Sequence, residues 1–176
     1  MEKELDLYIE ENTPFAIAEV KNLIRTIGSN LRDLHASSEQ FDCTYKSILV
    51  SSDGSARIVR TLSELKAQLK PGEVSAEPDF FPPEYFESGS YDNRGDVFIL
   101  GAIAYELLTA KSPFVGENVT ETMRAMKRET AIPTPMSLIK ECSEALSLMI
   151  MKALEPEPHN RFQSMDEMLE ALEVSA

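Results

Sequence analysis

The stretch that decides the fold is DVFILGAIAYELLTA, which runs from Asp96 to Ala110. One acid opens it, and the nine residues from Val97 to Tyr105 carry no charge. A helix that is apolar on every side has no face for water, so we expect it at the centre of a domain with other helices packed around it. Asp96 begins this helix, where a carboxylate can accept backbone N–H bonds.

In other segments, the spacing of apolar residues indicates helices and strands that would pack around this central helix. Apolar residues recur every three or four positions from about residue 14 to 36, which predicts a long amphipathic helix. KSILV and SARIV are rich in β-branched residues and are joined by SSDG, which is typical of a hairpin. We predict one mainly α domain over residues 1–176 (α+β overall), a helical bundle around a central buried helix with one small β-hairpin.

The length, net charge and cysteine content of the chain disfavour several kinds of partner and site. The chain has 176 residues, enough for one sizeable core, and 30 acidic against 17 basic residues give a net charge of −13. That charge disfavours nucleic acid and anionic membranes as partners. Cys43 and Cys142 form no metal-binding pattern. The acidic N-terminal segment lacks the features of a signal peptide, and no uncharged run could span a bilayer, so we expect a cytoplasmic location.

Three further segments occur in a specific order: PPEYF at 82–86, YDNRGDVFILGAIAYELLTAKSPFVG at 91–116 and MKALEPEPHNRFQSMDEMLEAL at 151–172. This order resembles the C-terminal lobe of protein kinases, especially bacterial Ser/Thr kinases. The resemblance implies a helical part at 1–36, a catalytic-loop and hairpin remnant at 37–60, an activation-segment remnant at 60–84 and a helical subdomain at 85–176. It also implies that the N-terminal lobe is absent.

The resemblance assigns structural roles to three residues. Glu84 ends the activation segment, and in the family this glutamate pairs with an arginine before the last helix, here Arg161. We expect the pair to tie the activation segment to the last helices, as scaffold and not as a site. Asp96 belongs to the same scaffold.

The family's catalytic loop reads H-R-D-x-K-P-x-N-I-L, and QFDCTYKSILV takes its place at residues 40–50. The resemblance puts Asp42 at the catalytic aspartate and Arg60 where a metal-ligating aspartate is expected. The other loop positions hold different side chains: Gln40 for His, Phe41 for Arg, Thr44 for Lys and Ser47 for Asn. We therefore predict a catalytically inactive pseudokinase with a vestigial Asp42, no cofactor, no metal and disfavoured ATP binding. His35 and His159 have no obvious acid partner in the sequence.

The predicted function is a protein-binding scaffold or regulatory module in signalling. The partner would be another protein of unknown identity or a second copy of the chain. Two sets of apolar residues are candidate binding surfaces, with membership of the core as the alternative for each: Leu62, Leu65 and Leu69 in the first, and Phe114, Val115, Met123 and Met126 in the second. The alternative function is residual Ser/Thr kinase activity, completed by an N-terminal lobe or a partner supplied in trans.

Overall fold

The computed structural model describes residues 2–39, 41, 44–61, 81–114, 116 and 118–175. Helices dominate this part of the chain, as the sequence predicts. The α-helices are Leu5–Asn12 (α1), Ile17–Ala36 (α2), Pro83–Ser88 (α3), Asn93–Thr109 (α4), Val119–Met126 (α5), Pro135–Leu138 (α6), Glu144–Ala153 (α7) and Met165–Glu173 (α8). The strands are Lys3–Glu4 (β1), Ile48–Val50 (β2) and Ala56–Ile58 (β3). None of the described helices is both long and apolar enough to cross a membrane.

Helix α4 is the central buried helix that its sequence predicts. Every residue from Gly95 to Thr109 is buried except Glu106, which is half-buried. Helices α2, α6, α7 and α8 all pack against it. The Asp92 side chain accepts a hydrogen bond from the Arg94 backbone N–H and so caps the first turn. The bundle therefore forms around one fully buried element, which confirms the predicted fold class.

The strands form one antiparallel sheet in the order β1–β2–β3. The turn between β2 and β3 contains Gly54 at φ 78°, a left-handed conformation that glycine adopts without strain. This hairpin follows from the Asp-Gly signal in the sequence. The two-residue strand β1 carries no recognisable pattern, and it exists because it pairs with Leu49 and Val50 of β2.

Polar side chains on α2 hold the free edge of the hairpin. Ala56 N donates to Thr26 Oγ1 at 3.1 Å, and Ile58 N donates to Asn30 Oδ1 at 3.2 Å. Thr26 and Asn30 lie one helical turn apart, so they meet alternate residues of β3. Backbone groups at a buried strand edge need such partners. The bonds fix the sheet, and the loop that precedes it, to α2.

The ion pair that the resemblance implies is present between Glu84 and Arg161. Both contacts between the guanidinium and the carboxylate measure 2.8 Å. Arg161 is only 2% exposed, and its guanidinium lies 4.8 Å from the ring centre of Phe98. It also donates to three backbone carbonyl oxygens, those of Glu155, Pro156 and Arg94. A buried cation with this many partners joins α3 to the segment before α8.

We predict that Arg161→Ala lowers the free energy of unfolding by about 3–5 kcal/mol, because Glu84 and the carbonyl groups lose their shared partner. Urea denaturation measures this change. The control is Arg94→Ala, which breaks a more exposed ion pair with Asp92 and should cost less than about 1 kcal/mol. Equal losses in the two variants would contradict a structural role for the buried pair.

A second prediction concerns the crossing of α4 and α7 at Gly101. A Cβ at this position would lie 2.7 Å from Ala153 Cβ, whereas a Cβ at Gly28 would meet the movable end of Leu169 at 2.8 Å. Each Gly→Ala change gains about 1 kcal/mol from the higher helix propensity of alanine. The difference in unfolding free energy between the two variants therefore measures the steric crowding at Gly101. We expect Gly101→Ala to be less stable than Gly28→Ala by about 1–3 kcal/mol in urea denaturation. A Gly101→Ala protein as stable as Gly28→Ala would show that the crossing has room for a methyl group.

Candidate active site beside the N-terminal end of α4

The candidate site is the loop between α2 and β2, which lies next to the first turns of α4. Asp96, in the first turn, is fully buried, and its Oδ2 lies 2.8 Å from Nε2 of His35 near the end of α2. Burial raises the pKa of the Asp96 carboxyl, and the hydrogen bond with His35 opposes that rise. The expectation that His35 has no acid partner is wrong, since its partner lies 61 positions along the chain.

A second contact fixes Phe41 in the same loop. The Tyr91 hydroxyl donates to the carbonyl oxygen of Phe41 at 2.8 Å, and Phe41 forms an isolated antiparallel bridge with Thr61. The Phe41 side chain is itself buried in the core. The loop is thus joined both to the segment before α4 and to the chain that follows β3.

Three side chains that the resemblance places at phosphate- and metal-binding positions meet after Phe41. The Thr44 and Ser47 hydroxyls lie 2.9 Å apart, and Arg60 Nη2 donates to Thr44 Oγ1 at 3.2 Å. Val59 N donates to the Ser47 carbonyl oxygen at 2.9 Å, which holds the end of β3 against the turn at Tyr45–Ser47. The structure therefore brings Thr44, Ser47 and Arg60 into one cluster, called the Arg60 cluster below.

Tyr45, in the same turn, contacts the C-terminal half of α4. Its hydroxyl donates to Glu106 Oε2 at 2.5 Å. Glu106 is the single residue between Gly95 and Thr109 that is not fully buried, so its carboxylate reaches out of the core toward the loop. Sequence reasoning missed this contact, because the two residues are 61 positions apart and neither belongs to a local pattern.

The family implies a magnesium ion at this site, and the Arg60 cluster does not fit one. Magnesium is usually bound through carboxylates, whereas the cluster consists of two hydroxyls and a guanidinium cation. Across the described ranges there is no group of three or more His, Cys, Asp or Glu residues that could hold a metal ion. Gln40, Asp42 and Cys43 lie outside those ranges.

The predicted partner-binding residues fall into two groups. Phe114 and Met126 are buried, and the Phe114 ring stacks on Phe98 with a centroid distance of 5.2 Å. These two residues are core and not surface, so the binding-surface prediction is wrong for them and the alternative of core membership, which the sequence left open, holds. Met123 is half-buried. The remaining predicted residues, Leu62, Leu65, Leu69 and Val115, lie outside the described residues.

The chain is similar to protein kinases over nearly its whole length. Residues 1–172 match the model of the protein kinase domain. Serine/threonine-protein kinase Pkn1 of Myxococcus xanthus is 30% identical over 173 residues, which cover 93% of this chain and 25% of that kinase. A probable serine/threonine-protein kinase PknB of Lactococcus lactis is 27% identical over 94% of this chain and 27% of its own length. PknB of Mycobacterium leprae is 32% identical over 63% of this chain and 18% of its own length.

These matches overturn one prediction from the sequence. The family model and the named kinases point to an enzyme, so the prediction that the chain is not an enzyme is wrong. That prediction rested on the replaced side chains and on the expected absence of the N-terminal lobe, whereas the family match extends over 172 residues. The chain spans about a quarter or less of the length of these relatives. The chain belongs to the protein kinase family.

Proposed function

We propose that this chain is the substrate-side lobe of a Ser/Thr protein kinase and transfers a phosphoryl group from ATP to a protein hydroxyl, together with a nucleotide-binding lobe. The observation that supports this most directly is the anchoring of the loop between α2 and β2 on the buried helix α4. His35 contacts Asp96, and Tyr91 holds Phe41, so two hydrogen bonds link the loop and its approach to the core.

Such anchoring matters because phosphoryl transfer depends almost entirely on positioning and charge stabilisation. Asp42 directly follows Phe41 in the sequence, and the resemblance assigns it the carboxylate that orients the attacking hydroxyl. Phe41 and Thr44, on either side of that residue, both contact fixed parts of the molecule. The described residues on either side of Asp42 are thus held by hydrogen bonds to other parts of the molecule.

The negative charge of the chain favours basic proteins as substrates. A net charge of −13 raises the local concentration of basic polypeptides and speeds their encounter with the site. Under this proposal the protein partner predicted from the sequence is a basic protein substrate, and a second partner supplies the nucleotide-binding lobe. The prediction that ATP binding is disfavoured rested on the replaced side chains and stays a prediction, whereas the function proposed here requires ATP to bind.

The test is transfer of radioactive phosphate from ATP to a basic protein substrate, with the chain alone and with the N-terminal lobe of a bacterial Ser/Thr kinase added in trans. We expect Asp42→Asn to reduce labelling by about 10²- to 10⁴-fold, the usual range for loss of a proton-handling group. The matched control is Asp53→Asn in the exposed turn between β2 and β3, which should leave labelling unchanged.

Two outcomes would contradict the proposed function. The first is the absence of labelling above the blank both with and without the added lobe. The second is equal labelling by wild type and Asp42→Asn, which would trace the activity to a contaminating kinase. Urea denaturation of both variants verifies that they are folded.

A further inference from the structure

We propose that a cavity between the C-terminal end of α4, α5 and α6 binds a small organic anion with an apolar body, of the class of a medium-chain carboxylate. The cavity has a volume of about 440 Å³ and is lined by residues from these three helices and from the two segments that join them. Cavities of roughly 300–1,000 Å³ accommodate small organic ligands. None of the lining residues belongs to the candidate active site, so this inference goes beyond the proposed function.

The walls of the cavity are mainly apolar. Helix α4 contributes the Tyr105 ring, and the other apolar lining residues include Pro113, Ala125, Ile132, Pro133 and Leu138. Leu138, the last residue of α6, is 39% exposed, so a ligand can still cover apolar surface there. A ligand with an apolar body gains affinity from the hydrophobic effect when it covers such surface.

Hydrogen bonds fix the walls of the cavity without a ligand. The hydroxyl of buried Tyr105 donates to the Pro133 carbonyl oxygen at 2.9 Å, which joins the segment before α6 to α4. In the segment that follows α4, Lys111 N donates to Thr109 Oγ1 at 3.2 Å. A preformed cavity reduces the cost of ordering the protein when a ligand binds.

The charge of the lining favours an anion. Among the described residues, Lys111 is the single charged side chain that lines this cavity, whereas carboxylates line the cavities beside Tyr8 and beside Lys127. Within the described part of the chain, the Lys111 ammonium has no ion-pair partner. The Ser112 and Thr130 hydroxyls also line the cavity and can donate to an anion.

The net charge of the chain does not prevent an anion from binding here. A charge of −13 repels anions at long range, but interactions between exposed charges are screened beyond about 8 Å at physiological salt. At shorter range the ligand meets a cation and two hydroxyls. The lining therefore suits one carboxylate joined to an apolar body.

The chain offers a matched control for each part of the ligand. Lys140 is exposed, as Lys111 is, and it does not line the cavity. Leu148 on α7 is 61% exposed and also lies outside the lining, so it is the control for Leu138. Replacement of either member of a pair changes the charge or the apolar content of the chain by the same amount. A difference within a pair therefore reports the cavity.

The test is calorimetric titration of the full chain at neutral pH with octanoate, octanol, which has the same chain length without the charge, and acetate, which has the charge without the chain. We expect octanoate to bind more tightly than either. Lys111→Gln should weaken octanoate by about tenfold or more, because a charge-assisted contact is lost, and should leave the affinity for octanol unchanged. Leu138→Ala should weaken both octanoate and octanol. Lys140→Gln and Leu148→Ala should match wild type. Thermal denaturation verifies that each variant is folded.

Several results would overturn this inference. One is absence of octanoate binding, and another is equal octanoate affinity in wild type and Lys111→Gln. Acetate or octanol binding as tightly as octanoate would show that the charge or the chain alone is recognised, against the proposal. An equal loss in Leu138→Ala and Leu148→Ala would place the binding outside the cavity. None of these results bears on label transfer by the chain, so this inference and the proposed function fail separately.

Discussion

The burial of α4 is the constraint from which the positions of the other helices follow. Burying one Leu, Ile or Phe side chain contributes roughly 1.5–3 kcal/mol, and α4 buries such residues along its whole length. Because α2, α7 and α8 each cover part of its surface, none of them can shift without exposing apolar area on α4. The hairpin is held to α2 by hydrogen bonds, so the sheet is also fixed relative to α4.

Because α4 is buried, the polar residues that lie on it or against it near the site are also buried and need partners. A buried charge is tolerated when it is paired and hydrogen-bonded. Arg161 meets this condition through Glu84 and three carbonyl groups. Asp96 meets it at Oδ2 only, through His35, and its buried Oδ1 has no hydrogen-bond partner among the described residues. One pair, His35 with Asp96, holds the approach to the loop between α2 and β2, and the other holds α3. Both are tied to a single helix, which gives the candidate site a rigid base.

Much of the fold could be predicted from local sequence patterns. The uncharged run of α4 indicated a central helix, and Asp-Gly between two β-rich runs indicated the hairpin. What could not be predicted depends on contacts between distant residues. His35 and Asp96 are 61 positions apart, β1 has two residues and needs β2 to form, and Phe114 faces Phe98 only once the chain has folded. The prediction that the chain is not an enzyme was wrong for another reason: it rested on replaced side chains and on the expected absence of the N-terminal lobe, whereas the family model over residues 1–172 and the named kinases point to an enzyme.

Native-state hydrogen exchange of α4 tests the central claim most directly. If the helix is the element on which the bundle depends, its amides from Val97 to Tyr105 exchange only through global unfolding, with a free energy equal to that from urea denaturation. Amides of α1, which has one buried residue, should exchange faster. Exchange of the α4 amides as fast as those of α1, at free energies well below the global value, would contradict the account.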